Sequence, residues 1–333
     1  MHTTSTPPRR TGFARLAKFA AIPFLAASLA GGAAHAAGYP DKTVKFVVNF
    51  PPGGPIDVIA RLAASKIEKD FKQAVIVENT TGASGNIGAG AVARAEPDGY
   101  TVLFTIDTPL TVSPYVYRSM PFKQDALKPV IMMGSAGSVL AVHPSTGINS
   151  LKELVAKAKG QNLTFSSAGT ASPGHIGVAL LSDATGIKAT HVPYRGNAPA
   201  VLSLVSGEVD AGILATTGLL PHIKAGKVKP IAITGPDRSA LLPDVPTTAE
   251  LGIPDVRVDF MFLALVPSKT PDNVVETLRD AIARAIRQPD VEERLRALDI
   301  RPATIPGSEV ADRIAKAQER YRKVIQETGM KAD

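Results

Sequence analysis

The sequence predicts an α/β protein with two domains, each built on a parallel β-sheet that has helices on both faces. Short apolar runs of strand length alternate with segments of helical periodicity along most of the chain, which is typical of this class. The strand-like runs are almost continuously apolar, as expected where both faces of a strand are covered. Two strand–proline–helix units, which begin at residues 139 and 262, flank a central block and suggest that the chain crosses between the domains twice.

The first strand–turn–helix unit spans residues 44–70. Its apolar run, residues 44–50, predicts a buried strand, and Pro55 suits the first position of the helix that follows. Gly53 and Gly54 allow the backbone to come close to whatever lies at the carboxyl end of the strand. The free N–H groups at the start of such a helix form a potential site for an anion such as a carboxylate. A plain strand–helix corner that binds nothing is the alternative.

The remaining elements follow from the same patterns. Further strands are predicted at residues 75–78, 100–105, 130–133, 139–143, 163–166, 209–214 and 231–234. Further helices are predicted at residues 87–95, 151–159, after 175, 199–207, 274–286 and 310–326, the last with a solvated, charged face. Ser150 is expected to cap the helix at 151–159, with Glu153 at the capping-box position. This order predicts one domain from residues 37–138 and 259–333, and the other from residues 139–258.

Residues 1–36 have the features of a cleavable export signal. Basic residues between positions 9 and 18 precede an apolar run at 19–29, and Ala34–His35–Ala36 supplies a small-x-small cleavage pattern. The apolar run is shorter than the roughly 20 residues that a membrane anchor needs. Arg9–Arg10 is only a loose match to a twin-arginine signal, so general secretion is favoured. The mature protein is therefore predicted to be exported and soluble.

The composition narrows the classes of function. The chain has 333 residues, a formal net charge of +7 and no cysteine. Because the export signal carries four basic residues and no acidic one, the mature chain is only slightly basic, which gives nucleic-acid binding no support. A cationic cleft for an anionic ligand remains compatible with this charge. The absence of cysteine from the sequence excludes disulfides, thiolate metal sites and cysteine nucleophiles.

Two further glycine-rich loops follow predicted strands. Residues 82–90 lack the spacing of a dinucleotide-binding motif and the acidic residue that accompanies it. Residues 167–175 combine hydroxyl side chains with glycines, for which helix capping and turn formation are the alternative explanation. In open parallel sheets, however, the loops at the carboxyl ends of the strands all face the ligand crevice. The three loops are therefore expected to lie together.

Signals for catalysis are weak. The sequence has no G-x-S-x-G elbow, no phosphate-binding Gly-Lys-Ser/Thr pattern and no evident nucleophile–base pair. His143, His175, His191 and His222 lie far apart without a carboxylate at ligand spacing, so no metal or cofactor is expected. His175 fits a hydrogen-bonding residue at a cleft edge better than a general base. Asp57 either favours the dipole of its helix or contacts a donor group of a ligand.

Taken in chain order, these motifs resemble the Bug family, the periplasmic substrate-binding receptors of tripartite tricarboxylate transporters. The matching stretches are residues 50–61, 79–90, 97–100, 167–175, 191–196, 199–200, 207–210 and 243–252. The resemblance implies a type 2 periplasmic binding protein fold, in which two α/β domains close around a ligand cleft on a small carboxylate, often through backbone groups and ordered waters. Ile56 in place of a common Thr, and the lack of Trp near residues 260–262, imply a more apolar pocket mouth.

The resemblance implies a periplasmic receptor, not an enzyme, that captures a mono-, di- or tricarboxylate as a monomer and delivers it to membrane transporter subunits. In the first domain the expected ligand-binding residues are Pro52, Gly53, Gly54, Pro55, Ile56, Asp57, Ser84, Gly85, Thr105 and Asp107. In the second domain they are Ser167, Gly169, Thr170, Ser172, His175, Tyr194, Arg195, Gly196 and Thr216. Arg195 would supply a positive charge for a second carboxylate, unless it is a solvated or interdomain arginine.

Two other functions stay open at this point. One is a sensing subunit that binds the same ligand and presents it to a membrane signalling protein. The other is an exported enzyme on the same bilobal fold, against which the lack of an evident nucleophile–base pair argues.

Overall fold

The structure is a computed structural model of the chain, and it describes residues 38–332. The predicted export signal, residues 1–36, lies outside the described residues. Gly38 and Tyr39 belong to a separate N-terminal unit, whereas every strand and helix below lies in the compact unit that begins at Pro40. No helix within residues 38–332 is both long and apolar enough to cross a membrane.

Strands and α-helices alternate through the described residues. The strands are β1 (Val44–Val48), β2 (Val75–Asn79), β3 (Thr101–Ile106), β4 (Leu127–Ala136), β5 (Val139–Val142), β6 (Leu163–Ser167), β7 (Ala189–Pro193), β8 (Ala211–Leu214), β9 (Lys229–Ile233), β10 (Phe260–Pro267) and β11 (Arg301–Pro306). The helices are α1 (Pro55–Phe71), α2 (Asn86–Ala93), α3 (Thr108–Thr111), α4 (Ser113–Val116), α5 (Leu151–Gly160), α6 (Pro173–Thr185), α7 (Asn197–Val205), α8 (Thr216–Lys224), α9 (Asp272–Ile286), α10 (Pro289–Ala297) and α11 (Gly307–Thr328).

The strands form two sheets. The first has the spatial order β11, β4, β10, β3, β1, β2, and the second has the order β7, β6, β8, β5, β9. In the first sheet β1 is parallel to β2 and β3, whereas β10 is antiparallel to β3 and β4, and β11 to β4. In the second sheet β6 is parallel to β7 and β8, whereas β5 is antiparallel to β8 and β9.

The prediction of two α/β domains is confirmed, but both sheets are mixed and not wholly parallel. Parallel neighbours need a crossover connection, which α1 supplies between β1 and β2, and α6 between β6 and β7. The antiparallel strands include β4, β5 and β10, which adjoin the points where the chain passes between the sheets. The chain enters β10 from the second sheet. No crossover helix of the first sheet therefore connects β10 to its neighbours and makes it parallel to them.

The two passages between the sheets lie side by side. Gly137 and Ser138 join β4 to β5, and the segment that follows β9 leads back to β10. The N–H of Ser138 donates to Oγ1 of Thr234 at 2.9 Å, and the N–H of Thr234 donates to the carbonyl oxygen of Ser138 at 2.9 Å. A Cβ on Gly137 would lie 2.7 Å from the backbone nitrogen of Gly235. The passages are therefore hydrogen-bonded to each other and closely packed.

Helix α11 contributes to the hydrophobic cores of both sheets. Val310, near its start, packs with the cluster that contains Leu263 of β10. Tyr321 and Ile325, farther along, pack with the cluster that contains Phe165 of β6. The charged face predicted from the sequence is thus only one side of this helix.

The helix caps and helix boundaries agree with the prediction apart from small differences. The hydroxyl of Ser150 accepts the N–H of Glu153 at 3.2 Å, as a capping box requires, although the Glu153 carboxylate accepts from the N–H of Asn149. Helix α7 begins at Asn197, two residues before its predicted start. Helix α8 was not predicted, because Pro221 in its interior is a signal against a helix.

Candidate functional site

The loop between β1 and α1 forms a tight corner at the carboxyl end of β1. Gly53 has a φ of +78°, which glycine adopts without strain, and Pro55 is the first residue of α1. Gly54 precedes the helix with an extended backbone, and no side chain caps the helix N-terminus. The first N–H groups of α1 are therefore left for another acceptor. Pro52 is exposed at this corner, whereas the side chain of Ile56 is buried.

Asp57, in the first turn of α1, is buried and bonded to three donors of the protein. Its Oδ2 accepts from the N–H of Gly53 at 2.9 Å and from Nε of Arg61 at 3.0 Å, and its Oδ1 accepts from Nδ2 of Asn79 at 2.9 Å. Burial alone would raise the pKa of this carboxyl, but the hydrogen bonds from Arg61, Gly53 and Asn79 lower the pKa below its ordinary value. The hydrogen bonds of Asp57 therefore stabilise the corner.

Residues 80–85, between β2 and α2, form a second loop beside the corner. Within it, the φ of Ser84 is +52° and the φ of Gly85 is +92°. A Cβ on Gly85 would lie 2.6 Å from Nδ2 of Asn49, so a side chain is excluded there. That Nδ2 donates to the carbonyl oxygen of Gly85 at 2.9 Å and to Oγ1 of Thr105 at 2.9 Å. One amide thus joins the ends of β1 and β3 to the loop after β2.

Asp107 and Thr108 follow β3, and both are buried. Oδ1 of Asp107 accepts from the N–H of Met261 at 3.1 Å, and Oδ2 accepts from the hydroxyl of Thr111 at 3.3 Å. Burial raises the pKa of this carboxyl to about 7, although these hydrogen bonds act in the opposite direction. Asp107 also lines a narrow crevice with Tyr321 of α11. It therefore lies against β10 and α11.

The loop between β6 and α6 is organised around the hydroxyl of Ser167. This hydroxyl donates to the carbonyl oxygen of Gly169 at 3.1 Å, and it accepts from the N–H of Gly169 and the hydroxyl of Ser172, each at 3.2 Å. Ser172 caps α6 by accepting the N–H of His175 at 3.3 Å. Helix capping and turn formation therefore occupy much of the hydrogen-bonding capacity of this loop.

The structure brings Ser167 close to two histidines. Oγ of Ser167 lies 2.6 Å from Nε2 of His191, whose ring stacks on that of His175 with the ring centroids 3.7 Å apart. The sequence did not reveal the Ser167–His191 pair because its members stand 24 positions apart, on adjacent strands. Burial lowers the pKa of His191 to about 4, and burial together with the nearby His191 lowers that of His175 to about 3. A buried hydroxyl and such weakly basic rings fit a nucleophile–base pair poorly.

The other candidates of the second domain lie at the ends of β7 and β8. The hydroxyl of Tyr194 donates to Oε1 of Glu208 at 2.8 Å. Gly196 has a φ of +110°, and Thr216 is buried at the start of α8. Arg195 is exposed and makes no hydrogen bond or ion pair with any residue between 38 and 332. Its guanidinium is therefore available to an anion.

The loops of the two sheets meet at Ser84 and Thr170. Oγ of Ser84 donates to the carbonyl oxygen of Thr170 at 2.5 Å, and the hydroxyl of Tyr117 donates to Oγ of Ser84 at 3.3 Å. Gly169 is also close, since a Cβ on it would lie 4.0 Å from Oγ of Ser84. The loops that were predicted to hold a ligand from opposite sides are thus in direct contact.

Several buried polar atoms beside this contact have no partner within residues 38–332. They are Oδ1 of Asn49, both polar side-chain atoms of Asn86 and Oγ1 of Thr108. Such atoms cost free energy unless a water molecule or a ligand satisfies them. Asn49 was not among the residues predicted from the sequence, although an asparagine directly after an apolar run is a usable signal.

A cavity of about 400 Å³ lies elsewhere and does not adjoin these loops. Its lining includes Pro144, Asn149, Ile223 and Lys229, near the end of β5 and the start of β9. Because β5 is antiparallel to β8, this is the edge of the second sheet opposite to the carboxyl ends of β6 and β8. Within the described residues, no three His, Asp or Glu side chains are grouped as a metal ion requires.

Comparison with known proteins identifies the family. Residues 59–330 match the family model described as tripartite tricarboxylate transporter family receptor. The chain belongs to this family. The predicted resemblance is thereby confirmed, and the Bordetella pertussis protein BugT is 34% identical over 297 residues, which are 88% of this chain and 91% of that protein.

Solved structures of relatives share the fold over nearly the whole chain. An R. palustris protein with adipate has a TM-score of 0.81 and 29% identity, with 88% of this chain and 99% of that chain covered. MatC from Rhodopseudomonas palustris with bound malate has a TM-score of 0.77 and 29% identity, with 86% and 100% covered. The predicted type 2 periplasmic binding protein fold of this receptor is confirmed.

Proposed function

We propose that this receptor captures a small organic carboxylate in the periplasm and delivers it to a tripartite tricarboxylate-type membrane transporter. The observation that carries the proposal is the contact between Ser84 and Thr170, which brings loops of both sheets to one place. Loops at the carboxyl ends of strands are the usual ligand site of α/β sheets. Relatives whose structures contain adipate and malate support an organic acid as the ligand class.

The two lobes would follow the division expected from the sequence. Residues 37–138 and 259–333 would form one lobe, and residues 139–258 the other. In support, every strand of the first sheet comes from the first set and every strand of the second sheet from the second. The passages at Ser138 and Thr234 would then be the hinge, and the ligand would enter where Ser84 and Thr170 meet.

The first lobe would bind one carboxylate mainly through backbone groups. The uncapped start of α1 offers N–H groups and the positive end of the helix dipole, and Asp57 holds Gly53 in place. The unpaired atoms of Asn49, Asn86 and Thr108 would bind the ligand directly or through water. The residues assigned to this half of the site are Pro52, Gly53, Gly54, Pro55, Ile56, Ser84 and Gly85, with Asp57, Thr105 and Asp107 in support.

The second lobe would complete the site on closure. Arg195 is exposed and has no partner in the described part of the chain, so it would pair with a second carboxylate group. The other residues assigned to this half shape the loops around the ligand. They are Ser167, Gly169, Thr170, Ser172, His175, Tyr194, Gly196 and Thr216.

The protein would act by binding alone, as a monomer exported through its N-terminal signal and without a cofactor. Ser167 and His191 are the strongest candidates for catalysis, but the hydroxyl is buried and shared with Gly169 and Ser172. The low pKa of His191 makes it a weak base at neutral pH. This arrangement supports a structural role for the pair.

A thermal-shift screen of the mature protein tests the proposal. A ligand at 100 times its dissociation constant adds about 2.7 kcal/mol, and each kcal/mol raises the midpoint of a protein of this size by roughly 2 °C. We expect a rise on the order of 5 °C with at least one mono-, di- or tricarboxylate, and none with sugars or nucleotides. A clear response to a sugar, with none to any acid, would refute the carboxylate assignment.

A pair of arginine variants tests the site. Arg195→Ala should weaken binding of a dicarboxylate at least fivefold in calorimetric titration, because it removes the partner of one carboxylate. Arg118→Ala is the matched control, since Arg118 is also exposed but lies outside the proposed site. Equal affinities of Arg195→Ala and the parent protein would remove Arg195 from the site.

A further inference from the structure

The cavity of about 400 Å³ near the end of β5 and the start of β9 has the size and lining of a small-molecule site. Pockets for small molecules usually enclose roughly 300 to 1,000 Å³ and are mostly apolar, with a few polar groups that orient the ligand. The lining here is mostly apolar as well. It consists of Pro144, Ile148, Ile223, Val228 and Pro230, together with Asn149, Gly226 and Lys229.

The apolar floor of the cavity is held by the hydrophobic cores of the second sheet. Ile148 is 3% exposed and belongs to the cluster that contains Phe165. Val228 is 2% exposed and belongs to the cluster that contains Leu204, against which Ile223 also packs. Alternate residues of β5 belong to the two clusters, so the clusters lie on opposite faces of the sheet. The cavity therefore lies where both cores reach the edge of the sheet.

Lys229 places a positive charge at the opening of this cavity. Its Nζ donates to Oδ1 of Asn149 at 2.5 Å, and both side chains belong to exposed residues. The amide of Asn149 is itself held in place, because its Nδ2 donates to the carbonyl oxygen of Gly147 at 2.9 Å and to Oε2 of Glu153 at 3.2 Å. An ammonium group has three N–H donors, so Lys229 retains donors for a further acceptor.

No carboxylate of the protein balances this charge. Within residues 38–332, no acidic side chain forms an ion pair with Lys224, Lys227 or Lys229, and all three lysines are exposed. Glu153 is bonded to a lining residue, but its Oε2 accepts from the N–H of Asn149 at 2.7 Å and not from a lysine. Unbalanced charges of one sign around an opening attract an ion of the opposite sign. The opening therefore favours an anion, whereas the floor favours an apolar group.

We propose that this cavity is a second ligand site, which takes an acid with one carboxylate and a compact apolar body. The carboxylate pairs with Nζ of Lys229, and the apolar body covers Ile148, Ile223 and Val228. A di- or tricarboxylate is disfavoured, because its further charges would lie against the apolar floor without partners. All lining residues lie between positions 144 and 230, at the edge of the second sheet opposite to the ligand loops. Binding here is therefore independent of the proposed cleft site.

The test is an NMR titration of the mature protein, labelled at its isoleucine and valine methyl groups, with sodium hexanoate at pH 7.5. We expect saturable shifts of the methyl signals of Ile148, Ile223 and Val228. The signal of Ile56, at the corner before α1, reports binding in the cleft separately. Hexan-1-ol has the same apolar chain without the charge, and it should bind at the cavity at least threefold more weakly than hexanoate.

Three variants test the role of the charge. Lys229→Gln removes the charge but keeps an amide that can donate to Asn149, so it should weaken hexanoate binding about three- to tenfold and leave hexan-1-ol binding unchanged. Lys229→Arg keeps the charge and should bind hexanoate nearly as the parent does. Lys188→Gln is the matched control, because Lys188 is exposed beside β7, at the opposite edge of the same sheet from β9.

Three results would overturn the proposal. They are unchanged signals of Ile148, Ile223 and Val228 at saturating hexanoate, equal affinities of the parent for hexanoate and hexan-1-ol, and equal hexanoate affinities of Lys229→Gln and the parent. Failure of the proposed cleft site would appear differently, as an Ile56 signal that responds to no mono-, di- or tricarboxylate. The two sites are therefore tested separately in one set of spectra.

Discussion

The hydroxyl of Ser84 donates a 2.5 Å hydrogen bond to the carbonyl oxygen of Thr170, and this bond joins the loop before α2 to the loop before α6. The two loops belong to different sheets, so the bond can form only when the lobes are close together. Since the hydroxyl of Tyr117 also donates to Ser84, a second hydrogen bond holds the Ser84 hydroxyl in place. Ser84 should therefore contribute to ligand affinity through closure.

The first prediction is that Ser84→Ala weakens carboxylate binding about three- to tenfold. A hydrogen bond of this kind contributes about 0.5 to 1.5 kcal/mol net, and here it favours the closed, ligand-holding state. Calorimetric titration measures the change. Ser65→Ala carries the same substitution on the exposed side of α1 and should bind as the parent does. Unchanged affinity of Ser84→Ala would mean that this bond does not support closure.

The second prediction concerns the corner that Asp57 braces. Asp57→Ala removes the buried acceptor of Gly53, Arg61 and Asn79. Because Gly53 and Arg61 are exposed and can donate to water instead, the free energy of unfolding should fall by about 1 to 3 kcal/mol. Chemical denaturation measures this loss. Asp70→Ala removes an exposed carboxylate that pairs with Arg284, and it should cost less than about 1 kcal/mol. Equal losses in the two variants would contradict the role of Asp57.

The same carboxylate gives a pH signature with a definite sign. Because the pKa of Asp57 is lower in the folded protein than its ordinary value of 3.8, the unfolded chain binds more protons as the pH falls toward and below 3.8. Its stabilising contribution is therefore complete above that pH and is lost in acid. The stability difference between the parent and Asp57→Ala should shrink accordingly below about pH 4.

The third prediction is that Asp107→Asn stabilises the protein at pH 8 but not at pH 4. Burial raises the pKa of Asp107 from 3.8 to about 7, so the folded protein holds a proton that the unfolded chain loses between these values. The stability that this group contributes is complete below about pH 4 and is lost as the pH rises through about 7. The neutral amide avoids this loss. A pKa raised from 3.8 to about 7 corresponds to about 4 kcal/mol at most, so denaturation at pH 8 should show a gain of roughly 2 to 4 kcal/mol. A gain of the same size at pH 4 would contradict this explanation.

The fourth prediction concerns the close packing of the two passages between the sheets at Gly137. A Cβ there would lie 2.7 Å from the nitrogen and 2.8 Å from the Cα of Gly235, which are backbone atoms that cannot move aside independently. Gly137→Ala should therefore lower the free energy of unfolding by about 1 to 3 kcal/mol. At Gly160, at the end of α5, a Cβ would have no atom within 4 Å, so Gly160→Ala should be nearly neutral. A stable Gly137→Ala variant would mean that the two passages are loosely packed.

The sequence predicted the repeated strand–turn–helix units because their signals are local. The glycine-rich loops, Pro55 at the start of α1 and the Ser150 cap are all visible within a few residues. The mixed direction of the sheets was not predictable in this way, because it depends on which strands become neighbours after the chain passes between the lobes. Apolar runs such as β5 and β10 do not carry that information.

The candidate site shows the same limit. Ser84 and Thr170 were both predicted to bind a ligand, but nothing in the sequence indicated that they contact each other across 86 positions. The sequence allowed two roles for Asp57, a favourable interaction with the helix dipole or contact with a ligand. Only the positions of Gly53, Arg61 and Asn79 show that its carboxylate is hydrogen-bonded within the corner. The Ser167–His191 contact was missed altogether, because it depends on the register of β6 and β7.

The central claim is that the corner at Gly53–Gly54 holds the carboxylate through its backbone, and one substitution tests it directly. Gly54 has a φ of −73°, and a Cβ on it would meet only the carbonyl oxygen of Pro51, at 3.4 Å. Gly54→Val should therefore fold normally while its side chain blocks the approach of an anion to the start of α1. Gly53→Ala, by contrast, places a side chain at a φ of +78° and should lower stability by roughly 1 kcal/mol.

The decisive measurement is a calorimetric titration of the parent and Gly54→Val with the carboxylate that gives the largest thermal shift. The parent should bind it, and Gly54→Val should bind it at least tenfold more weakly, a loss of about 1.4 kcal/mol or more, with an unfolding midpoint close to that of the parent. A Gly54→Val variant that folds normally and binds as tightly as the parent would show that the corner is not the anion site.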